Sequence, residues 1–581
     1  MTGPFLPLEG QELSLIARLS FLRGLVGISA KAFRLQQVAF ARRGTFPEHL
    51  RITCEVRQLM IAPVMRIARV LPALLLAAAC AQTPVIEGPS DVYAPGSAAR
   101  MFATSYRFID SQYIRSVPIG TVATDGLRGL VSADPSLELN VTGNRVQLAS
   151  AGNVVVDLPA PDPYDVSGWV NVTVELIDAG RGVSPTLAAL SPEDLYEGIM
   201  DDAVKGLDRY TRYASASDAA NDRADREGFG GVGITVSPTE TEGVSVLAVL
   251  PDTPAALAGV QVGDRIAAVD GKLTQGLSVR EVVSLLRGPI GSQVALTVNR
   301  DGRELTLMVT RAYIIAPTVV TAVDGKIAVV QITSFNVQTA QDVEREIVAA
   351  YGRAGGDLDA VILDLRNNPG GLLDQAVAVA DLFLNSGLVG SAEGRHPDSH
   401  QQFLAYSGDI LSGRPLVVLI NGNTASAAEV LAAALQDLGR AVLVGSTSYG
   451  KGTVQTVNRL PNDGELTLTW SALHAPSGYI LHQIGVRPNV CTTGYDSAEA
   501  ALRDAIEQAP AIAAAMRRWR THRLLELDAE AAQLRAQCEP QEDLDDIDIE
   551  VARALLREPR LYQSLLDLAP TGFASAPVRR G

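Results

Sequence analysis

The hydrophobic pattern of the chain is most regular between residues 319 and 489, where short apolar runs alternate with amphipathic segments. Nearly continuous apolar runs predict buried strands at 327–332, 360–364, 416–421 and 441–445. Apolar residues at helical spacing predict helices at 339–351, 373–383 and 426–438. Strands that alternate with helices in this way are typical of an α/β layer architecture, which we place at 316–496.

A second unit is predicted at 228–315. A glycine-rich loop is followed by strand, short helix, strand and helix, and then by two alternating strands around Asp301-Gly302, a strong hairpin signal. This order resembles a PDZ domain in the permuted form found in bacterial proteases. The resemblance implies that the loop of Gly231, Val232, Gly233 and Ile234 offers backbone N–H groups to the terminal carboxylate of a peptide that adds as a β-strand. The alternative is an unrelated small β domain.

The regions on either side of these two units show a different pattern of hydrophobic and polar residues. Residues 80–227 are predicted to be mainly helical, with a small β insertion around 132–190 that includes a strand at 170–174. Ser191 is a predicted N-cap, and Pro192 the first residue of the helix that follows it. Residues 497–581 are predicted to form a helical extension. Its acidic stretch at 542–550 is interpreted as a solvated face without an assigned function.

The predicted targeting signal does not begin at the first residue but lies further along the chain. Residues 1–79 are interpreted as a stretch that precedes the true start of translation, followed by a signal peptide. Met65-Arg66-Ile67-Ala68-Arg69 is a positively charged segment, and the apolar run 70–79 is too short to span a bilayer. Ala77-Ala78-Ala79-Cys80 resembles a bacterial lipobox, so lipidation of Cys80 and a periplasmic, lipid-anchored protein are expected. Cleavage after Ala79 without lipidation and a genuine N-terminal extension are the alternatives.

Composition narrows the possible functions. The net charge of -16 argues against binding to nucleic acid, which requires a basic surface. Two cysteines, Cys491 and Cys538, lie near the C-terminus, and an oxidising compartment would permit a disulfide between them. Two free thiols are the alternative. No motif for a cofactor or a metal is found, and none is expected.

Ser426 and Lys451 are the strongest candidates for catalytic chemistry. Ser426 follows the apolar run 417–420 and an Asn-Gly turn, and it precedes a helical pattern, which predicts a strand, a sharp turn and a helix with the serine at its N-terminus. Backbone N–H groups at that position can receive a developing oxyanion. Lys451 lies in a glycine-rich loop of a chain that has only five lysines but 44 arginines. Lysine can act as a base when burial lowers its pKa, whereas arginine cannot.

Four motifs, in this order, together resemble the carboxyl-terminal processing peptidases, also called tail-specific proteases. The motifs are Leu207-Asp208-Arg209-Tyr210-Thr211-Arg212-Tyr213, Asp364-Leu365-Arg366-Asn367-Asn368-Pro369-Gly370-Gly371, the turn around Ser426, and Gly450-Lys451-Gly452-Thr453-Val454-Gln455. The resemblance covers about 191–490 and implies a crotonase-like ββα protease core. Thr424 stands where the family commonly has serine.

The resemblance also implies a role for each site residue. Ser426 would be the nucleophile, Lys451 the general base, and Gln455 the residue that orients the lysine. If the residues after Gly452 form a strand, Lys451 and Gln455 share a face. The oxyanion hole would use the backbone N–H groups of Ala427 and of Gly370 or Gly371. Glu429 and Asp437 would support the site without taking part in the chemistry. The expected partners are proteins or peptides with nonpolar C-termini, and an activating adaptor is a further possibility.

Three other interpretations compete with a Ser–Lys protease. The segment 445–452 nearly matches a phosphate-binding loop but has Gly452 where a hydroxyl residue is required. A Ser-His-Asp hydrolase could recruit His474 or His482, although neither lies in a recognisable motif. The remaining alternative is an inactive or latent PDZ adaptor that binds peptides and needs a partner.

Overall fold

The computed structural model describes residues 92–239, 243–406, 408–544 and 546–568, so the predicted signal segment and Cys80 lie outside the described residues. Besides a short 3-10 turn, the helices are α1 (Pro95–Gln112), α2 (Ile119–Ala133), α3 (Val166–Val183), α4 (Pro185–Ala189), α5 (Pro192–Lys205), α6 (Ala216–Glu227), α7 (Pro254–Leu257), α8 (Val279–Leu286), α9 (Thr339–Arg353), α10 (Leu373–Phe383), α11 (Ala427–Asp437), α12 (Ala498–Glu507), α13 (Ala509–Trp519), α14 (Ala529–Ala536), α15 (Asp546–Arg557) and α16 (Pro559–Leu566). The strands are β1 (Leu137–Thr142), β2 (Arg145–Ser150), β3 (Asn153–Pro159), β4 (Arg212–Ala214), β5 (Phe229–Gly231), β6 (Ile234–Pro238), β7 (Val244–Val249), β8 (Arg265–Val269), β9 (Lys272–Leu273), β10 (Gln293–Arg300), β11 (Arg303–Thr310), β12 (Ala312–Ile314), β13 (Val319–Asp324), β14 (Ile327–Ile332), β15 (Ala360–Asp364), β16 (Gly387–Gly394), β17 (Gln401–Ala405), β18 (Leu416–Ile420), β19 (Val442–Gly445), β20 (Thr453–Arg459), β21 (Glu465–His474) and β22 (Val490–Cys491).

A six-stranded sheet in the order β13-β14-β15-β18-β19-β22 forms the centre of the α/β core. Strands β13 and β14 are antiparallel, whereas the pairs from β14 to β22 are parallel. Strands β15, β18 and β19 are buried along their whole length and are apolar except for Asp364, because both faces of the sheet are covered there. On β15, for example, Val361 and Leu363 belong to the core on one face, and Ile362 belongs to the core on the other. The predicted α/β architecture is confirmed.

The two faces are covered by different parts of the chain. Helices α9, α10 and α11 pack on one face, as the period of their apolar residues predicts. Helices α12, α13, α15 and α16 contribute to the apolar cluster on the other face. The C-terminal extension is therefore an integral layer of the core.

The PDZ-like unit has its own apolar core and a sheet in the order β11-β10-β8-β7-β6, with β9 paired to β8. Asp301 and Gly302 have φ angles of 51° and 80°, as the predicted hairpin turn requires. The short strands β5 and β12, at the entrance and the exit of the unit, pair with each other. The unit is thus inserted between two neighbouring points of the surrounding fold.

The N-terminal region corrects one prediction from the sequence. The β structure of the predicted insertion is confined to the antiparallel sheet β1-β2-β3, and the strand predicted at 170–174 is part of helix α3. Trp169, Thr173, Leu176 and Gly180 are buried along one side of this helix. Packing at helical spacing therefore overrides the β propensity of its valines.

The C-terminal extension corrects a second prediction. Asp548, inside the acidic stretch 542–550, is buried; it accepts a hydrogen bond from Thr492 Oγ1 at 2.7 Å and forms an ion pair with Arg366 at 3.2 Å. The stretch is therefore not simply a solvated face. Cys491 and Cys538 are joined in a disulfide, which decides between the two alternatives that the sequence left open.

None of the helices in the described ranges combines the length and the apolar character needed to cross a membrane.

Candidate active site

The candidate site lies at one edge of the central sheet. Strands β15, β18 and β19 are adjacent and parallel, so the segments that follow them leave from the same edge. These segments carry the motif 364–371, the turn with Ser426 and the loop with Lys451. Motifs that are far apart in the sequence therefore meet here, at the position where open α/β sheets commonly bind ligands.

Ser426 occupies a strained turn at the start of α11. Its φ and ψ angles are 56° and −120°, a conformation that side-chain-bearing residues rarely adopt. The turn is held by Thr424, whose hydroxyl donates to Leu365 O at 2.9 Å and accepts from Asn421 N at 2.9 Å. Either serine or threonine can make these bonds, so the departure from the family pattern at Thr424 preserves the turn.

Gly370 lies directly against the serine turn. A Cβ atom at Gly370 would come within 2.8 Å of Ser426 Cβ, and the φ angle of 98° also favours glycine. Its N–H group donates to Asn368 Oδ1 at 2.8 Å. In the described part of the chain, by contrast, the N–H groups of Gly371 and Ala427 have no protein acceptor. Of the two glycines predicted for an oxyanion hole, Gly371 thus retains the free donor.

Glu429 links the nucleophile segment to the lysine loop. Its side chain is fully buried, and its carboxylate accepts hydrogen bonds from Ser426 N (2.8 Å), Lys451 N (2.8 Å), Gly450 N (2.7 Å) and Ser448 Oγ (2.5 Å). Burial raises the pKa of the Glu429 carboxyl, and these four donors oppose that rise. The residue predicted to support the site therefore joins the segments of the predicted nucleophile and the predicted base.

The lysine loop lies tightly against the segment 481–483. A Cβ atom at Gly452 would come within 1.9 Å of His482 N, and one at Gly450 within 2.8 Å of Gln483 C. Gln483 N donates to Gly450 O at 2.7 Å. Glycines on both sides of Lys451 are therefore required for the backbone to approach this closely.

The Lys451 ammonium is largely desolvated. Burial lowers its pKa, the positive charges of Arg212 and Arg209 lower it further, and the negative charge of Glu429 opposes them. Its Nζ atom lies 5.1 Å from the centroid of the Tyr210 ring. Among the described residues Lys451 has no ion-pair partner, so its surroundings shift its protonation equilibrium toward the neutral amine, the form in which lysine accepts a proton.

Residues 207–213 form one wall of the lysine environment, a role that the sequence did not reveal. Strand β4 pairs with β21, and β21 pairs with β20, which begins two residues after Lys451. Asp208 Oδ1 accepts from Tyr210 N at 2.7 Å and from Thr469 Oγ1 at 3.1 Å, which fixes this segment to β21. The resemblance singled out the motif, but only the sheet pairing brings Tyr210 to the lysine.

Gln455 is held by two threonines. Its Nε2 atom donates to Thr453 Oγ1 at 3.0 Å and to Thr469 Oγ1 at 3.2 Å. In the pairing of β20 with β21, Val454 faces Ser471 and Gln455 faces Thr469, so the extra residue at this register shift is Trp470 on β21. Lys451 precedes β20, so the strand alternation on which the expected shared face depended does not extend to it. The orienting role of Gln455 stays a prediction.

Asp437 lies at the other end of α11, about 16 Å from Ser426 at 1.5 Å per helical residue. Its carboxylate forms a buried ion pair with Arg520 at 2.7 Å and accepts from Ser477 Oγ at 2.6 Å. This residue ties α11 to the C-terminal extension and does not approach the reacting atoms.

The described residues show no hydrogen bond between Ser426 Oγ and Lys451 Nζ. Of the two histidines considered as alternative bases, His482 belongs to the segment that packs against the lysine loop. The His482 ring lies 6.0 Å from the Tyr210 ring, and burial lowers the pKa of His482 to about 4. His474 Nδ1 lies 3.4 Å from Gly478 O.

In the PDZ-like unit, β6 is the last strand of its sheet, so its outer edge is the place where a further strand can be added. The loop before it is anchored from behind, because Val232 O accepts from Ala255 N at 2.8 Å and Gly233 O accepts from Leu250 N at 3.0 Å. The predicted peptide-binding loop and the edge strand are therefore continuous.

Comparisons with known proteins agree with this arrangement. Residues 326–492 match the model of peptidase family S41, and residues 245–300 match a PDZ domain. The carboxy-terminal-processing protease of Bartonella bacilliformis is 39% identical over 305 residues, which cover 52% of this chain and 70% of that protein. The chain therefore belongs to the carboxy-terminal processing proteases of peptidase family S41.

Two further similarities extend the comparison. The carboxy-terminal processing protease CtpA of Bacillus subtilis is 33% identical over 300 residues, and the match spans 50% of this chain and 63% of that protein. A solved structure of a photosystem II D1 C-terminal processing protease is similar with 24% identity and a TM-score of 0.35, over 68% of this chain and 92% of that chain.

Proposed function

We propose that the protein is a serine endopeptidase that captures substrate C-termini through its PDZ domain and hydrolyses peptide bonds with Ser426 and Lys451. The observation that carries this proposal is the link through Glu429. It fixes a strained serine and a desolvated lysine at the same edge of the sheet. Membership of a protease family supports the hydrolytic chemistry, and the edge strand β6 supports peptide capture.

The proposed reaction is acyl transfer followed by hydrolysis. Lys451 Nζ accepts the proton of Ser426 Oγ as that oxygen attacks the carbonyl carbon, and the N–H groups of Ala427 and Gly371 stabilise the oxyanion. The proton then passes to the amine of the leaving peptide. A water molecule, deprotonated by the same lysine, hydrolyses the acyl-enzyme. Gln455 is the proposed positioning residue for Lys451, and its own amide group is held by Thr453 and Thr469.

We also propose that the protein acts in the periplasm, tethered by a lipid on Cys80. The predicted signal segment with its lipobox supports this location, and so does the disulfide between Cys491 and Cys538, because disulfides persist in oxidising compartments. Labelling with a radioactive fatty acid in cells would test it. Label on the wild type but not on Cys80→Ser is expected, and equal labelling would contradict the lipid anchor.

Substrate capture is tested with an unfolded protein that ends in a short nonpolar tail. Amidation of its terminal carboxylate is expected to lower kcat/KM about tenfold, since a charge-assisted set of hydrogen bonds is lost. The assay uses residues 81–581 and reads the products by mass spectrometry. A variant lacking 228–313 should cleave both substrates equally slowly. If that variant retained its preference for the free tail, capture by the PDZ domain would be disproved.

The pH dependence should report the lowered pKa of Lys451. Because only the neutral amine accepts a proton, kcat/KM is expected to rise with pH, with a midpoint below the ordinary lysine value of about 10.4. Between the lowered pKa of Lys451 in the folded protein and its ordinary pKa in the unfolded chain, the unfolded chain binds more protons than the folded chain. The free energy of unfolding should therefore also rise with pH in this window. Denaturant titrations at several pH values should show this slope in the wild type and its loss in Lys451→Met. An unchanged slope in the variant would assign it to another group.

One observation favours a latent enzyme as a second candidate. Lys451 Nζ lies near the Tyr210 ring, and no hydrogen bond to Ser426 Oγ occurs among the described residues, so the base must shift before it can act. An adaptor or a bound substrate tail could supply that shift. Absence of cleavage by the wild type alone, followed by cleavage once a partner is added, would identify the latent form.

A further inference from the structure

A cavity of about 580 Å³ lies outside the candidate active site, between the C-terminal helices and the segment that follows Arg487. This volume is within the range of about 300–1,000 Å³ that is typical of small-molecule sites. Helices α12, α13 and α14 supply most of its wall. Much of the apolar lining consists of Ala501, Ala505, Ala511, Ala514, Ala515 and Ile512.

Arg487 brings a positive charge to this cavity. Its residue is only 6% exposed, and its buried Nε atom has no hydrogen-bond partner. Across the described ranges, no carboxylate or carbonyl group is bonded to its guanidinium group. Burial lowers the pKa of Arg487, and no acidic neighbour opposes that effect. An arginine nevertheless stays charged, so this buried charge has no counter-ion among the residues that the structure describes.

Other buried arginines of the chain are compensated. Arg366 pairs with Asp364 at 2.8 Å and Arg520 with Asp437 at 2.7 Å. Arg311, which is also buried, donates to several backbone carbonyl groups. Because a buried charge without a partner destabilises the folded protein, Arg487 is the position at which a bound ligand would gain the most binding free energy.

The other charged groups at the cavity are already engaged. Asp504 accepts a hydrogen bond from Gln508 Nε2 at 2.6 Å. Burial of Tyr495 and the hydrogen bond that it donates to Asp504 raise the pKa of Tyr495 to about 12. Arg518 is largely exposed and lies 4.0 Å from Glu530. Among the charged residues that line the cavity, Arg487 is therefore the buried one whose guanidinium group has unfilled hydrogen-bonding capacity.

We propose that this cavity binds a small aliphatic monocarboxylate, with Arg487 as its counter-ion. The planar guanidinium fork matches the two oxygens of a carboxylate, and the alanine-rich wall suits a short alkyl group. A single negative charge fits better than two, because the Asp504 carboxylate also lines the cavity. The same chemistry is offered by a free short-chain acid and by the C-terminal residue of a peptide.

Binding is tested by calorimetry and thermal unfolding with butyrate, with butyramide as its uncharged counterpart and sodium chloride at matched ionic strength. Butyrate should bind saturably and raise Tm, whereas butyramide and chloride should not. Arg487→Gln is expected to weaken butyrate binding at least about tenfold, since a charge-assisted bidentate contact is lost. Arg518 lines the same cavity, so Arg518→Gln is the matched control. This variant should change the affinity for butyrate by less than about threefold, because the charge of Arg518 is screened by solvent.

The stability of the ligand-free variant separates a binding role of Arg487 from a purely structural one. If Arg487 binds a ligand, Arg487→Gln without ligand should be at least as stable as the wild type, because a buried charge without a partner has been removed. A purely structural role predicts a less stable variant. A lower Tm of the ligand-free variant together with unchanged butyrate binding would overturn the proposal. So would equal binding of butyrate and butyramide, or no saturable binding of butyrate to the wild type.

The source of the carboxylate is identified in the Ser426→Ala background, in which a peptide is not hydrolysed. Acetyl-dialanine and its amide are compared with butyrate, and only binding that Arg487→Gln abolishes is counted, which separates this site from the PDZ loop. Tighter binding of acetyl-dialanine assigns the site to peptide termini, and tighter binding of butyrate assigns it to free acids. Both outcomes support the carboxylate site. Dependence on Arg518 instead of Arg487 would overturn it.

Discussion

Replacement of Lys451 by methionine is expected to lower kcat/KM on an unfolded protein substrate by about 10⁴-fold or more, as the loss of a catalytic base does in other serine hydrolases. Methionine keeps the length and the apolar stem of the side chain and removes only the amine. The side chain is already largely desolvated, so the variant should fold. The measurement is the initial rate of cleavage beside Ser426→Ala, which should lose activity to a similar degree.

Matched controls separate this base from other charges. Lys326→Met removes an exposed lysine that is paired with Asp357 and should leave the rate unchanged. His474→Ala and His482→Ala test the alternative triad. Loss of activity in a histidine variant, with retention in Lys451→Met, would show that the base is histidine.

Replacement of Glu429 by alanine is expected to reduce both stability and activity. Four donors would lose their buried acceptor, and the free energy of unfolding should fall by about 3–5 kcal/mol. Since two of these donors are the backbone N–H groups of Ser426 and Lys451, the protein that remains folded should also cleave at least about 10²-fold more slowly. Urea unfolding and single-turnover cleavage measure the two effects.

The control for Glu429 is Glu344→Ala, which removes an exposed glutamate on α9 and should change the free energy of unfolding by less than about 0.5 kcal/mol. Glu429→Gln keeps the shape but replaces one acceptor oxygen by a donor, so it should lie closer to Glu429→Ala than to the wild type. Wild-type stability and rate in Glu429→Gln would mean that the two segments are positioned independently of this carboxylate.

Local patterns predicted the part of the fold that depends on local properties. The apolar runs that became β15, β18 and β19 were identified because both faces of these strands are buried. The hairpin at Asp301-Gly302 was identified because few sequences adopt two successive positive φ angles. Ser426 and Lys451 were singled out by their flanking motifs, and the structure places both motifs at one edge of the sheet.

Features that depend on distant contacts could not be predicted in the same way. The valine-rich segment of α3 is helical because its buried residues recur at helical spacing against α1 and α2, whereas its composition favours a strand. Asp548 lies in a run of acidic residues, but its burial depends on Arg366 in another layer of the core. The proximity of Tyr210 to Lys451 depends on two strand pairings that no local pattern encodes.

The backbone conformation of Ser426 has a consequence for how this position can change during evolution. A residue with a side chain that is held at φ 56° and ψ −120° lowers the stability of the fold by about 1–3 kcal/mol, whereas glycine adopts such angles readily. With Ser426 as the proposed nucleophile, selection for catalysis and selection for stability oppose each other at this residue. A copy of the gene that was kept only for peptide binding would gain stability by exchanging this serine for glycine. Among related chains, glycine at the equivalent position would mark an adaptor that has abandoned chemistry while keeping its fold.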